Sequence, residues 1–274
     1  MADREHRQAE LIARLRREAV VRDEEIAGLR ERLAGAEDEI EDLRAIQDAL
    51  APAELPQRPG LELAAAFLPA AARVSGDFYL AAEGPRDATV LVVGDVVGHG
   101  PTAAKRAAFV RTAFAATAPF SDDPGRLLSW ANTALVERAG ITAQFVTTAC
   151  VTYLPDMQRL RWAYAGHPPA LWLDDGHELI APQHGAALGI SADPEYVEGS
   201  RGCGPGLGVL IYTDGLTEAR RDGERLGRDA VSAALARLQN PSPDDAVAAL
   251  SARAAEFANN ELTDDVCLLA ARMT

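Results

Sequence analysis

Aspartates stand at the ends of four apolar runs, and this arrangement constrains the fold more than any other feature of the sequence. Asp77 precedes one run, Asp95 and Asp214 follow two others, and Asp264 and Asp265 precede the last. Buried strand ends are poor places for carboxylates, because clustered acids repel one another and lose hydration in apolar surroundings. Glycine adjoins three of these boundaries, where it lets backbone or a ligand approach closely. The acidic residues are therefore expected to be needed where they stand.

Divalent cations would remove the repulsion among these carboxylates. Ligation by oxygen alone selects a hard ion, so Mg²⁺ or Mn²⁺ fits the acidic set, whereas Zn²⁺ prefers His and Cys. A single Asp-Gly pair is usually a turn, but four carboxylates at strand ends indicate a metal site.

The apolar runs and turn sequences between residues 61 and 274 predict a mixed α and β domain. Strands are predicted at residues 61–69, 77–82, 89–94, 145–154, 159–165, 171–173, 208–212 and 266–271. Helices are predicted at about 101–117, 124–139, 227–238 and 243–259, and Asp123-Pro124 and Ser242-Pro243 are typical helix starts. Several strands follow one another through turns, which predicts antiparallel hairpins and an α+β fold.

Residues 1–50 differ from the rest of the chain, because they contain no proline and follow a heptad pattern. Through residues 12–50 mostly apolar positions recur at alternating spacings of three and four, which predicts an N-terminal coiled-coil helix. Oppositely charged residues at flanking g and e′ positions, such as Glu25 and Arg30, favour a parallel homodimer through this segment. The alternative is a single amphipathic helix that packs on its own domain or on another protein.

A proline-rich segment over residues 51–60 separates this helix from the globular domain. Its three prolines cannot continue a helical hydrogen-bond ladder, and they stiffen the junction. We therefore predict three parts: a dimerising or regulatory coiled coil over 1–50, a linker over 51–60 and a globular domain over 61–274.

The overall charge and composition exclude several classes of partner. The formal net charge of −14 argues against nucleic acid or an anionic membrane, because both would repel the chain. No apolar run approaches the roughly 18 residues that a membrane span needs. The N-terminus lacks the apolar core of a secretory signal, and three cysteines without metal-ligand spacing fit a reduced compartment. These features predict a cytoplasmic protein with no membrane and no nucleic-acid partner.

Several short motifs occur in a specific order along the chain. They are Leu55-Pro56, Pro59-Gly60-Leu61-Glu62-Leu63, Gly76-Asp77-Phe78-Tyr79, Gly94-Asp95-Val96, Gly98-His99-Gly100, Ala165-Gly166-His167-Pro168-Pro169-Ala170, Leu188-Gly189, Tyr212-Thr213-Asp214-Gly215-Leu216-Thr217-Glu218-Ala219 and Asp264-Asp265. Together they resemble the metal-dependent protein phosphatases of the PPM family, in the branch typified by SpoIIE and RsbU. The resemblance covers residues 46–274 and implies a four-layer αββα sandwich of two antiparallel sheets, with the metals at one rim.

The resemblance further implies a site for two divalent metals, Mn²⁺ or Mg²⁺. Asp95 would bridge both ions, and Asp214 and Asp264 would complete the first site. Asp77 and the backbone carbonyl of Val96 would serve the second. A water activated by the two ions would attack phosphorus in line, without a covalent phosphoenzyme. The four aspartates are thus the expected catalytic residues.

Three residues near these ligands have roles that the sequence leaves open. Asp265 either orients Asp264 or a bound water, or exchanges roles with Asp264 as a metal ligand. Arg73 either binds the substrate phosphate through its guanidinium or is a solvated surface residue. His99 either protonates the leaving serine oxygen or holds a glycine-rich turn. For His167 we favour a structural hydrogen bond.

The function implied by the resemblance is hydrolysis of phosphoserine or phosphothreonine on a partner protein. Members of this branch typically act on anti-sigma-factor antagonists of the STAS type, which are the implied partner. We hypothesise that the coiled coil acts on the two central helices through the proline junction. Two alternatives stand beside this function: a catalytically silent scaffold or phospho-partner binder on the same fold, and a small-molecule phosphatase.

Overall fold

The computed structural model describes residues 22, 25–38, 55–70, 75–139 and 144–274. The chain divides into two compact units, residues 1–46 and 47–274. In the first unit, residues 25–38 form a helix, α1, on which Ile26, Leu29 and Leu33 are exposed. The rest of the predicted coiled coil lies outside the described residues. The coiled coil, its pairing into a dimer and the domain boundaries at residues 50 and 60 therefore stay predictions.

The second unit contains two antiparallel sheets. The five-stranded sheet has the order β2 (Phe78–Glu83), β3 (Thr89–Val96), β4 (Val146–Leu154), β5 (Arg159–Ala165) and β7 (Gly199–Gly202). The four-stranded sheet has the order β1 (Leu61–Leu68), β11 (Val266–Met273), β8 (Gly208–Tyr212) and β6 (Leu171–Trp172). Neighbouring strands in both sheets pair antiparallel. A short hairpin joins β9 (Arg220–Arg221) to β10 (Glu224–Arg225).

Helices pack against each of the two sheets. The helices are α2 (Pro101–Thr117), α3 (Pro124–Ala139), the short α4 (Gly215–Glu218), α5 (Arg228–Leu238) and α6 (Pro243–Phe257). The two predicted helix starts are confirmed, since Ser242 Oγ accepts the Asp245 amide at 3.1 Å and Asp123 Oδ1 accepts the Arg126 amide at 3.0 Å. Such caps satisfy amides that have no partner within the helix.

Three apolar cores hold these elements together. The core between the sheets includes Leu91 of β3 and Ile211 of β8. A second core packs Val92 of β3 against Phe114 of α2, and a third packs the four-stranded sheet against Leu250 of α6. Alternate residues of β3 thus enter different cores, so this strand is buried on both faces. Each fully buried large apolar side chain contributes about 1.5–3 kcal/mol, and this burial fixes the strand ends in space.

The prediction of a mixed fold with two antiparallel sheets is confirmed. Three short features were not predicted, namely β7, α4 and the β9–β10 hairpin, because their few residues carry no apolar periodicity. Two strands are longer than predicted, since β3 continues through Asp95 to Val96 and β11 reaches Met273. The three cysteines are buried and free. Among the described helices, none is both long enough and apolar enough to cross a membrane.

Candidate functional site

Acidic side chains from both sheets come together around a cavity of about 160 Å³. The start of β2 and the end of β3 place Asp77 and Asp95 there, and the turn before β11 places Asp264 and Asp265 there. Asp214 follows β8 and begins α4, and it lines a separate groove. The carboxylates of Asp214 and Asp264 nevertheless interact electrostatically. The structure therefore brings the predicted ligands to one rim of the paired sheets.

Asp77 is held by a buried hydrogen bond from the opposite sheet. Thr213, at the end of β8, donates from Oγ1 to Asp77 Oδ2 at 2.7 Å, and the same Oγ1 accepts the Cys267 amide at 3.0 Å. Burial, followed by the charge of Asp95, raises the pKa of Asp77 well above its usual value. A carboxyl group in this setting keeps its proton unless a cation takes the proton's place.

The pKa of Asp95 is affected by all of the other acidic residues of the rim. Burial, then the charge of Asp214 and, by smaller amounts, the charges of Asp264 and Asp265 together raise the pKa of Asp95 to about 7. A hydrogen bond with Asp77 opposes the rise. Asp95 is thus coupled to carboxylates from both sheets.

Asp265 has a structural partner that the sequence did not reveal. Its Oδ1 accepts the backbone amide of Ala70 at 2.7 Å, and its side chain is buried. Its own amide donates to Asp264 Oδ1 at 2.9 Å. Asp265 therefore ties the segment after β1 to the acidic rim.

Asp214 also has a raised pKa, because of its burial and then because of the charge of Asp264.

Two glycines let backbone segments of the rim approach more closely than a side chain would allow. A Cβ on Gly215 would lie 1.9 Å from the carbonyl oxygen of Asp265, and a Cβ on Gly76 would lie 2.8 Å from the carbonyl oxygen of Val96. Real Cβ atoms essentially never come this near to backbone. Each glycine adjoins one of the predicted ligands, so the expectation that glycine permits a close approach there is confirmed.

The two histidines of the motifs occupy different environments. His99 lines the acidic cavity. His167 is buried, and its Nδ1 and Nε2 lie 2.9 Å from Thr147 Oγ1 and 3.0 Å from the Tyr212 carbonyl oxygen. Burial lowers the pKa of His167 to about 4, so a neutral ring donates from Nε2 to the carbonyl and accepts at Nδ1 from the threonine. The predicted structural hydrogen bond is confirmed for His167. Arg73 lies outside the described residues.

The contacts of His167 join the two sheets beside the acidic rim. Thr147 belongs to β4 and lies opposite Asp95 in the β3–β4 ladder. Tyr212 ends β8, two residues before Asp214. The His167 bridge thus links the neighbours of two proposed ligands that come from different sheets. Sequence reasoning missed Thr147 and Thr213, although a threonine next to an aspartate at an apolar strand end is a signal that could have found Thr213.

The donor chemistry of the rim fits hard divalent cations. The carboxyl groups of Asp77, Asp95 and Asp214 are buried or half-buried, offer only oxygen and have raised pKa values, whereas Asp264 is exposed. Crowded acids with raised pKa values are the condition that Mg²⁺ or Mn²⁺ relieves. In the part of the chain that the structure describes, no three His, Cys, Asp or Glu side chains already surround one point at ligand distance. The carboxylates are instead engaged with one another and with Thr213, as at Asp77.

Comparison with solved structures defines the class of fold. The SiaA-PP2C domain of Pseudomonas aeruginosa matches 88% of this chain and 98% of its own length, with a TM-score of 0.75 and 21% identity. The RsbU and RsbW domains of Rv1364c from Mycobacterium tuberculosis give a TM-score of 0.65 at 25% identity, over 81% of this chain and 62% of that one. The domain, with its two antiparallel sheets and acidic rim, therefore has a PP2C-type fold.

Sequence comparison gives the family. Residues 85–274 match the family described as Stage II sporulation protein E (SpoIIE), and the chain belongs to that family. It is also 25% identical to the phosphoserine phosphatase RsbU of Bacillus subtilis (strain 168) over 236 residues, which are 85% of this chain and 70% of RsbU. The predicted membership of the SpoIIE and RsbU branch is confirmed.

Proposed function

We propose that this chain is a phosphatase that removes phosphate from serine or threonine of a partner protein and requires two divalent cations, Mn²⁺ or Mg²⁺. The observation that carries the proposal is the convergence of carboxylates from both sheets at one rim of a SpoIIE-family domain. The similarity to a phosphoserine phosphatase supports the substrate class.

Each acidic residue has a distinct part in the proposed site. Asp95 would hold both cations, and its carboxylate interacts with acids of both sheets. Asp214 and Asp264 would complete one cation site, and Asp77 and the Val96 carbonyl would serve the other. When bound, the cations supply an acidified water as nucleophile and neutralise the charge that develops on the phosphate oxygens.

Other residues of the rim position these groups or move a proton. Thr213 fixes the carboxylate of Asp77, and Asp265 holds the segment after β1 in place. His99 lines the same cavity and is the candidate that protonates the leaving serine oxygen. Arg73 keeps its proposed role of binding the substrate phosphate.

The proposed partner is a phosphorylated regulatory protein, an anti-sigma-factor antagonist of the STAS type. The presence of RsbU and RsbW domains in one relative supports a regulatory protein as substrate. We further propose that residues 12–50 form a parallel homodimer. The exposure of Ile26, Leu29 and Leu33 on α1 supports this arrangement, because a coiled coil buries such a seam.

Hydrolysis assays with added Mn²⁺ test the proposed function. We expect turnover of a generic phosphate ester and of a phosphoserine peptide, and a loss of about 100-fold or more in Asp95→Asn, because one of the groups that stabilise the reacting charge is removed. Calorimetry should show weaker Mn²⁺ binding by the same variant. Asp156→Asn, in an exposed turn, is the matched control and should keep both properties.

The same assays separate the alternatives. A silent scaffold would bind the phosphopeptide and hydrolyse neither substrate. A small-molecule phosphatase would turn over the ester but not phosphoserine within a peptide. Either result would contradict the proposal.

A further inference from the structure

A groove of about 760 Å³ opens beside the acidic rim. We call it the side groove, and its walls include Pro168, Pro169, Ile180, Asp214, Arg225 and Arg228. Asp214 connects the groove to the site, because its carboxylate interacts with Asp264 and Asp95 in the acidic cluster. The volume is typical of a pocket that encloses much more than one phosphate group. A chain whose phosphoserine reaches the cations would therefore place its neighbouring residues here.

One wall of the side groove is apolar. Ile180 is 61% exposed, although the residue before it, Leu179, is buried. Pro168 and Pro169 line the same groove. Ile180 and the half-buried Pro168 present side chains without hydrogen-bonding groups, whereas Pro169 is buried. An apolar side chain of a bound protein would therefore cover Ile180 favourably.

Another part of the groove lining carries two exposed arginines, Arg225 and Arg228. Arg225 contacts Glu218 at 2.6 Å and Arg228 contacts Glu178 at 3.5 Å. The arginine side chains are 54% and 58% exposed, whereas those of the glutamates are 37% and 33% exposed. Exposed ion pairs contribute about 0–1 kcal/mol, and a guanidinium with one carboxylate partner still has N–H groups for another. In each ion pair the arginine is therefore the side chain that is more accessible to a ligand.

The chain segment that follows Asp214 positions both arginines. Arg225 lies on β10 and Arg228 is the first residue of α5. The Leu226 and Gly227 amides, which lie between them, donate to the Ala219 and Thr217 carbonyls at 2.9 Å each. A cation gains nothing from the dipole at a helix N-terminus, so helix stability does not account for Arg228. The backbone at both arginines is therefore tied to the segment that follows Asp214.

We propose that the side groove binds the protein segment that flanks the phosphorylated residue and selects a segment with both an acidic and an apolar side chain. Arg225 and Arg228 bind the carboxylate, and Ile180 packs on the apolar residue. This inference rests on the proposed phosphatase function and adds a specificity to it. Glu178, Glu218 and Asp214 also line the groove, so the acidic preference depends on the arginines being the more exposed members of their ion pairs. Negative charges farther away are screened beyond about 8 Å at physiological salt.

The charge preference is tested with two phosphoserine peptides that differ only in having aspartate or lysine beside the phosphoserine, each with a leucine nearby. The unaltered protein with Mn²⁺ should show a kcat/KM about fivefold or more higher for the aspartate peptide, as expected for one or two exposed charge pairs. Arg228→Glu and Arg225→Glu should each remove or reverse this ratio. Arg237→Glu, which changes the same charge at an exposed position in the last turn of α5, is the control and should keep it.

The apolar preference is tested by replacing the leucine of the aspartate peptide with glycine. The replacement should lower kcat/KM about threefold or more in the unaltered protein, which corresponds to partial burial of one apolar side chain. Ile180→Ser should abolish the difference between the two peptides. Met157→Ser is the control, because Met157 is similarly exposed but does not line the side groove.

Failure of this inference differs from failure of the proposed function. Equal turnover of the aspartate and lysine peptides by the unaltered protein would overturn the selection of an acidic residue. Retention of the ratio in both Arg228→Glu and Arg225→Glu would overturn the assignment to the side groove. Absence of turnover of any peptide and of a generic ester would overturn the proposed function, and this inference with it.

Discussion

At the residue scale, the burial of Asp95 beside other acids destabilises the folded protein when the Asp95 carboxyl group is ionised. Its pKa rises on folding from 3.8 to about 7, chiefly because it is buried and then because Asp214 lies near. The folded state therefore binds this proton more tightly than the unfolded chain does. The contribution of Asp95 to the stability of the cation-free protein is therefore fully present below about pH 4 and is lost as the pH rises through about 7, because ionisation is easier in the unfolded chain.

Replacing Asp95 by asparagine should remove this pH-dependent loss. In excess chelator at pH 8, we expect Asp95→Asn to raise the free energy of unfolding by up to about 4 kcal/mol, the equivalent of a pKa shift from 3.8 to about 7, while at pH 4 the two proteins should differ little. Urea denaturation at both pH values measures the difference. Asp156→Asn serves as the control, and an Asp95→Asn protein no more stable than the parent at pH 8 would count against the electrostatic origin.

Gly215 is a second residue whose identity the rim requires. Gly215→Ala should lower the free energy of unfolding by about 3 kcal/mol and reduce phosphatase turnover, because its Cβ would lie 1.9 Å from the Asp265 carbonyl oxygen. Thermal denaturation and ester hydrolysis provide the two measurements. Gly204→Ala adds the same methyl group where nothing lies within 4 Å and should change neither property.

Single residues could be predicted from the sequence where they interrupt an apolar run. Asp77, Asp95, Asp214 and Asp264 were found in this way, because a charge at a strand end is conspicuous. The hydrogen-bond partners of these acidic residues could not be predicted from the sequence. The bond from the Ala70 amide to Asp265 joins residues far apart in the chain, and only the paired sheets bring them together.

Among the elements of the fold, β4 and β8 come from different sheets and are joined by one buried ring. His167 accepts from Thr147 of β4 and donates to the Tyr212 carbonyl of β8. Removing the ring leaves a buried carbonyl without its donor, which destabilises by about 1–3 kcal/mol. The bridge therefore sets the spacing of the two strands that lead to Asp95 and Asp214.

A double-mutant cycle tests the His167 bridge. We expect His167→Ala and Thr147→Val each to lower kcat and Mn²⁺ affinity, and the double variant to lose about 0.5–3 kcal/mol less stability than the sum of the single changes. Thr133→Val, an exposed threonine of α3, is the control. Strict additivity of the two changes, or full Mn²⁺ affinity in His167→Ala, would contradict the bridge.

Long elements were predictable because their apolar pattern is regular. The strands β4 and β5 and the helices α2 and α3 lie where the sequence indicated. The hairpin β9–β10 was not predicted, because each of its strands consists of two exposed polar residues. Its position depends on contacts with α4, such as the ion pair of Arg225 of β10 with Glu218 of α4 at 2.6 Å, which no local pattern encodes.

At the scale of the whole molecule, the proposed pairing of two chains through residues 12–50 makes a prediction about mass. Leu33→Lys should convert a dimer to a monomer, because a lysine at a core position of the heptad is buried without a partner. Light scattering after size-exclusion chromatography measures the mass. Glu31→Lys introduces the same side chain on the outer face of the predicted coiled coil and should leave the mass unchanged. A monomeric parent protein would disprove the dimer.

Regulation by the coiled coil makes a separate prediction for the whole chain. Removing residues 1–50 should change turnover per site at matched protein concentration, because the coiled coil is proposed to act on α2 and α3. The Leu33→Lys variant separates loss of the dimer from loss of the segment. Equal turnover by all three proteins would show that the segment pairs chains without controlling the chemistry.

The position of β11 within its sheet has a consequence for synthesis. β11 lies between β1 and β8, and Leu68 of β1 pairs with Val266. A nascent chain that has emerged from the ribosome only as far as α6 would therefore lack the central strand of one sheet and the acidic turn before it. Such a chain would expose the edges of β1 and β8 to aggregation. Competence to capture cations should consequently arise only after β11 has been inserted.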